Sequence, residues 1–319
     1  MTIFRVDADV LARARFGTSQ LAESVAALSI LMRPRPLPWH QAWRDTHLPA
    51  FREYLADDPV TGALVAHAVS PVWIADFLTV PPAHSDLTID EELVELATVS
   101  DTRIRADLER VRQPLPAQLT APGLAERAVA LVRWLWDRSI APEWPRRKRL
   151  LRADVVSRIN RLASEGWEGV VRDMRPGMRW LGGGELQIDE LPQERYNLRG
   201  RDLAFYATHC RGGWVSWRLP HRFGIIYPVT GIFTGAEDAT PRSLVRLLGA
   251  ARAAVLQHTA EPVSTSGLVG ATGMPLGTVG HHLQVLLEAG MLHRRRSGRE
   301  VFYWWTDTAR ALVAGSTST

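Results

Sequence analysis

Apolar residues near the C-terminal end recur at helical spacing. Between Pro275 and Glu288, Leu276, Val279, Leu283, Leu286 and Leu287 fall within one arc at about 100° per residue, with Thr278, His281 and Val285 opposite. The pattern predicts an amphipathic helix with one core face and one free face. The texture then changes to a hairpin: Arg294, Arg295 and Arg296 rise to a turn at Ser297 and Gly298, and Arg299 leads into the strand Val301 to Trp305. Upstream, Leu244, Leu247, Leu248, Ala251 and Val255 predict one long helix over 241–259. Ser264 or Ser266 starts a further helix running through Val269 to Thr272, and Gly273 makes the turn. Pro275 suits the first turn of the helix that follows, where its missing N–H would be unpaired anyway.

Residues 1–172 read mainly as helices separated by proline-rich joints at 33–38, 81–82, 113–116 and 141–145. Gly123 to Ser139 places Leu124, Ala128, Leu131 and Leu135 on one side, and Val155, Ile159 and Leu162 continue the stripe in a second helix. Thr2 to Val6 reads as a short strand, with Asp7 or Asp9 capping a helix from Val10 to Phe16. From Met178 the chain turns to glycines and β-formers, which predict three or four strands. Gly182 to Gly184, and Gly212 with Gly213, read as hairpin turns. A phosphate-binding loop at Gly182 to Gly184 is disfavoured, because neither a helix pattern nor a lysine follows. The expected fold is mainly α with a small antiparallel β region, an α+β class. An N-terminal domain spans 1–236 with its β-rich part at 178–232, Thr234 to Pro241 is the linker, and a C-terminal domain spans 241–315.

Composition is that of an ordinary globular chain, with 46% hydrophobic and 23% charged residues, so it excludes little. Charge placement says more. Residues 241–319 hold eight arginines against four acidic residues, while residues 1–240 balance, so the whole net charge of +4 sits where a polyanion would bind. One cysteine, Cys210, excludes an internal disulfide and a cysteine-based metal cluster. The N-terminal stretch lacks the apolar core of a signal peptide, and the longest uncharged run, Pro59 to Ala75, is interrupted by polar residues, glycine and proline. These point to a cytoplasmic protein without membrane partners. The lone Lys148 beside 37 arginines reflects codon bias.

A helix, a glycine turn, a second helix and a basic hairpin occur in the order of a winged helix-turn-helix, and the expected partner is double-stranded DNA. The stretch GLVGATGMPLGTVGHHLQVLLEAGML with RRRSGREVFYW resembles the winged helix of the ArsR/SmtB bacterial transcription factors over about residues 241–315. The resemblance implies a recognition helix at Pro275, Gly277, Thr278, Gly280, His281, His282 and Gln284, and a wing at Arg294, Arg295, Arg296 and Arg299. It also implies a homodimer with the first and last helices of this domain in the interface. Pro275 and Gly280 replace serines common in the motif, which removes a phosphate hydrogen bond but permits closer approach to DNA. In residues 1–240 the stretches IFRVDADVLARARFG, LRADVVSRINRLASEGWEGVVRDMRPGMRWLGGGELQI and FGIIYPVTG resemble the long N-terminal region joined to such winged helices in actinobacterial regulators, and this region is expected to supply dimer contacts, effector sensing or both.

Metal sensing, the founding activity of that family, is not expected. The C-terminal domain offers His258, His281, His282 and His293 but no cysteine, and neighbours 281 and 282 diverge by about 100° on a helix. No metal or other cofactor is therefore expected. Ten of the twelve tryptophans precede residue 241. Trp39, Trp43, Trp134 and Trp214 either pack a core or line a cavity for a partly apolar effector. The run Arg146 to Arg149 caps or solvates a helix, and His209 beside Cys210 is no nucleophilic pair, since strand neighbours face opposite ways. No acid–base pair, nucleophile elbow or phosphate loop is recognisable, so the chain reads as no enzyme but a homodimeric, ligand-responsive repressor. The alternative is an enzyme or ligand-binding protein whose winged helix is a protein-interaction module.

Overall fold

Asp7 decides where the chain first turns helical. Its carboxylate accepts from the Val10 amide at 2.9 Å and caps α1 (Ala8–Arg13), which follows strand β1 (Thr2–Arg5). The helix does not reach Phe16 as its pattern predicts. Arg15–Thr18 is strand β2, parallel to residues 204–207, and Phe16 stacks on Phe205 at 4.9 Å. A distant partner strand outweighs local helical preference there.

The computed structural model describes residues 2–34, 38–70, 73–110, 114–172, 174–175, 177–189, 194–209, 213–218, 220–229, 242–260, 263–297 and 300–316. They form two units: Met1–Leu37, Trp43–Pro145 and Arg158–Val229 in the first, and Pro38–Ala42, Arg146–Ser157 and Thr230–Thr319 in the second.

In chain order the helices continue as α2 (Gln20–Met32), α3 (Pro38–Asp57), α4 (Pro59–Ala68), α5 (Ile89–Ala97), α6 (Asp101–Glu109), α7 (Leu124–Leu135) and α8 (Trp144–Val171). Ser19, Asp58, Thr88 and Ser100 cap α2, α4, α5 and α6 through their side chains, satisfying amides that the first turn leaves without a helical partner. Glu92 on α5 adds a second cap to α2. Its buried carboxylate accepts from the Ser19 hydroxyl and from the Gln20 and Leu21 amides, yet burial outweighs these bonds and pushes its pKa up to about 7.

The stripe expected on α7 is buried, with Leu124, Ala128, Leu131 and Leu135 joining Leu28, Leu64, Leu96 and Ile104 in one core. On α8 the expected stripe breaks. Val155 is buried but Ile159 is 48% exposed, because Arg158 takes the inward position: its guanidinium lies over the Tyr227 ring at 4.8 Å and donates to the Val170 carbonyl. The basic run on α8 is likewise not wholly solvated, since Arg147 is buried.

Six strands follow: β3 (Arg179–Gly182), β4 (Glu185–Asp189), β5 (Arg195–Asn197), β6 (Asp202–Thr208), β7 (Trp214–Arg218) and β8 (Arg222–Pro228). With β1 and β2 they build two sheets, ordered β3-β4-β1-β5 and β2-β6-β8-β7. Both are mixed, not antiparallel: β1 runs parallel to β5, and β6 runs parallel to both β2 and β8. Strands from the N-terminus supply two of these parallel pairings, and alternation within one segment cannot reveal them. The Gly182 to Gly184 turn forms as expected, with φ of 83°, 59° and 77°, and at Gly184 a Cβ would lie 2.5 Å from the Val6 carbonyl oxygen. Gly212 lies outside the described residues.

The second unit contains α9 (Arg242–Leu248), α10 (Ala250–Gln257), β9 (Val263–Ser264), α11 (Thr265–Thr272), α12 (Leu276–Glu288), β10 (Leu292–Ser297), β11 (Glu300–Trp305) and α13 (Asp307–Ser316). The single helix expected over 241–259 is two helices, because Gly249 (φ 81°, ψ 151°) breaks the helical path. The break keeps Leu244, Val255 and Leu256 in the core and leaves Leu247 64% exposed. The class is α+β. Among the described residues no helix is long and apolar enough to cross a membrane.

Candidate nucleic-acid interface

Ser264 starts α11 by accepting from the Gly267 amide at 3.2 Å, and Gly273 ends it in the left-handed region (φ 69°). Pro275 occupies the cap of α12, one residue before its first turn, with no side-chain hydrogen bond to the helix. The other end closes with a Schellman motif. The Met291 amide donates to the Leu286 carbonyl at 2.9 Å, the Gly290 amide donates to Leu287, and Gly290 takes a φ of 67°. That turn delivers the chain directly into β10.

The core holds α12 by Val279, Leu283 and Leu286, all buried. Around the helix, Gly277, Gly280, His281, Gln284 and Glu288 then share the opposite stripe. Gly277, His281, Gln284 and Glu288 are exposed, as are Pro275 and Thr278 at the leading end. His282 is not on this stripe. It is half-buried, its Nδ1 is inaccessible without a hydrogen-bond partner among the described residues, and its pKa is lowered by burial and by the neighbouring His281 and Arg252. The two rings stand 5.7 Å apart, tilted by 53° to each other. His258, by contrast, is buried enough that desolvation, helped by Arg146, lowers its pKa to about 4 and keeps it neutral.

β10 and β11 pair in register from Leu292 opposite Trp305 to Ser297 opposite Glu300, and β11 also pairs with β9. Because alternate residues face opposite sides of a sheet, the arginines divide. Leu292, Arg294 and Arg296 share the side of Tyr303 and Trp305, which pack on the core. Arg295 and His293 share the other side with Phe302 and Trp304, where the His293 and Trp304 rings lie 5.6 Å apart. Arg299 lies outside the described residues.

The helix stripe and the inner wing face meet in an open groove of about 510 Å³, lined by Gly280, Gln284, Leu287, Glu288, Arg294 and Tyr303. Gln284 donates to Glu288 at 3.0 Å within it. Glu288 and Tyr303 are groove residues that sequence reasoning does not single out. The hairpin register, which sets Tyr303 opposite Arg294, and the i, i+4 step from Gln284 to Glu288 are the signals that locate them. Leu276 escapes notice for the opposite reason: its apolar character assigns it to the core arc, yet it is 62% exposed.

Of the tryptophans considered for an effector site, Trp43, Trp134 and Trp214 all pack against the core that α7 joins. Trp43 packs on His47 at 4.7 Å, and Trp134 stacks on Tyr54 at 4.7 Å beneath the Arg138 guanidinium. Trp214 borders a cavity of about 10 Å³, room for a single water, with Ser19, Tyr206 and Ser216 in its lining but neither Trp43 nor Trp134. The side chain of Trp39 lies outside the described residues, as does Cys210; His209 hydrogen-bonds Glu23 through both its amide and Nδ1. Among the described residues no three His, Cys, Asp or Glu are grouped to hold a metal ion.

Residues 238–295 match a family described as a helix-turn-helix domain. No curated protein matches the chain. A helix-turn-helix domain that presents an exposed helix face beside a basic hairpin supports a DNA-binding transcription regulator as the general role.

Proposed function

We propose that the protein is a sequence-specific, homodimeric repressor of the ArsR/SmtB type that acts in the cytoplasm, binds a double-stranded DNA operator through its second unit, and is released by a non-metal small molecule. The observation that carries the reading is the groove in which Gly280 and Gln284 of α12 face Arg294 of the wing. A helix of this kind enters the major groove with base-edge contacts along its exposed stripe, while wing cations meet phosphate. The DNA contacts on this reading are Pro275, Gly277, Thr278, Gly280, His281 and Gln284, with Arg294 and Arg296 on the inner wing face.

The exposed Leu247 on α9, a helix that packs with α13, supports a subunit interface formed by the first and last helices of the unit. A role without catalysis is supported by how the buried acids of the first unit are engaged. Glu92 caps α2, Glu23 holds His209, and Asp107 accepts from the Phe77 amide at 3.0 Å through one oxygen while its other oxygen lies 3.9 Å from the Arg110 guanidinium. These groups serve the fold.

Mobility shifts of promoter DNA with the full chain test the reading. A retained, salt-sensitive complex is expected, and its mobility and sedimentation should correspond to two chains per site. Adding a strong chelator is expected to leave the complex unchanged, because among the described residues no three His, Cys, Asp or Glu are grouped to hold a metal ion. A complex that dissolves on chelation and returns with zinc would contradict the non-metal assignment.

A further inference from the structure

The leading end of α12 presents an apolar side chain where hydrogen-bonding groups are the usual tools of base readout. Leu276 is 62% exposed, and the packed arc of the helix begins only at Val279. Single exposed apolar residues are common, so exposure alone means little. Its surroundings say more. A Cβ built on Gly277 or on Gly280 would meet nothing within 4 Å, so the surface beside Leu276 is bare backbone open to a close approach. Pro275 before it carries no donor and makes no side-chain cap. Thr278 alone brings a polar side chain to this turn, so the end is built for shape and apolar contact more than for a donor–acceptor code.

In the major groove the distinctive apolar feature of a base edge is the C5 methyl group of thymine. We propose that Leu276 reads a thymine methyl, with Gly277 and Gly280 admitting the base edge to van der Waals contact. The proposal rests on the DNA-binding reading of α12. Removing one methyl from such a contact is expected to weaken binding about fourfold, the effect of returning about one CH₂ to water.

The test uses the full-length protein and a duplex that it selects from a randomised pool. Each thymine of the protected region is replaced singly by deoxyuridine, which removes the methyl and leaves the Watson–Crick edge unchanged. One replacement should weaken the wild type about fourfold and leave Leu276→Ala unaffected, while Leu276→Met retains the sensitivity. Since Leu276 is exposed, both variants should melt with the wild type, and their equal affinity for an unrelated duplex checks that they are folded. The proposal is overturned if every deoxyuridine is neutral for the wild type, or if Leu276→Ala keeps the full loss. A pool that enriches no sequence while DNA is still retained also overturns it and leaves the general DNA-binding reading standing. No retention of any duplex removes both.

Discussion

Arg294→Glu is expected to lower affinity for duplex DNA about a hundredfold, on specific and unrelated sequences alike. Arg294 lines the groove beside Gly280 and Gln284, so a backbone lying along α12 passes within its reach. Losing a charge-assisted hydrogen bond costs about 1.5–3 kcal/mol, and an acidic group at the same place adds repulsion. The slope of log affinity against log salt should become shallower by about one, the share of a single neutralised phosphate. Arg295→Glu should lose much less. Its side chain leaves the sheet on the side of Phe302 and Trp304, away from the groove. Equal losses from the two variants in fluorescence anisotropy titrations would mean that the wing acts as a cloud of charge and not as a face.

That distinction shows where the sequence stops being legible. The order helix, glycine turn, helix, basic hairpin is written in the periodicity of Val279, Leu283 and Leu286, in Gly273, and in the arginine run, and the structure has each of these in place. Helical spacing, however, defines a buried arc only where the helix has something to bury against. Leu276 lies beyond that support, and Leu247 lies at the end of a helix that Gly249 cuts short. His281 and His282 look alike in the sequence, but a step of about 100° sends the second toward Arg252. In the first unit, cap residues such as Asp7 and the glycine turn at 182–184 are local and readable. The parallel pairing of β2 with β6 joins segments too far apart in the chain for any local pattern to report. Arg158 misleads in the same way: a charge marks the outer face of a helix until an aromatic ring such as Tyr227 receives it.

The second large effect lies one residue from a proposed DNA contact. Leu283→Ala should destabilise the second unit by about 2–5 kcal/mol, the usual range for emptying a packed leucine site. Leu283 is 2% exposed and packs with Val279, Leu286 and Leu268 beneath α12. DNA binding should fall with the folded fraction and return on cooling or with saturating DNA, which binds only the folded form. Gln284→Ala, by contrast, should melt with the wild type and alter sequence preference, because Gln284 is exposed and its amide donates to Glu288 at the helix surface. Thermal denaturation of the otherwise unaltered chain, together with backbone hydrogen exchange over residues 263–297, separates the two cases. A stable Leu283→Ala that has lost DNA binding would argue that this face of α12, and not the exposed stripe, meets the nucleic acid.

Whether α12 and the inner wing face read duplex sequence is decided by one comparison. The affinity of the full chain for a duplex selected from a random pool is set against that for a scrambled duplex of equal length at physiological salt. A preference of at least about a thousandfold for the selected sequence is expected, reduced by Gln284→Ala and left unchanged as a ratio by Arg294→Glu. Equal affinity for the two duplexes, or a preference untouched by Gln284→Ala and His281→Ala together, would contradict sequence readout by this face.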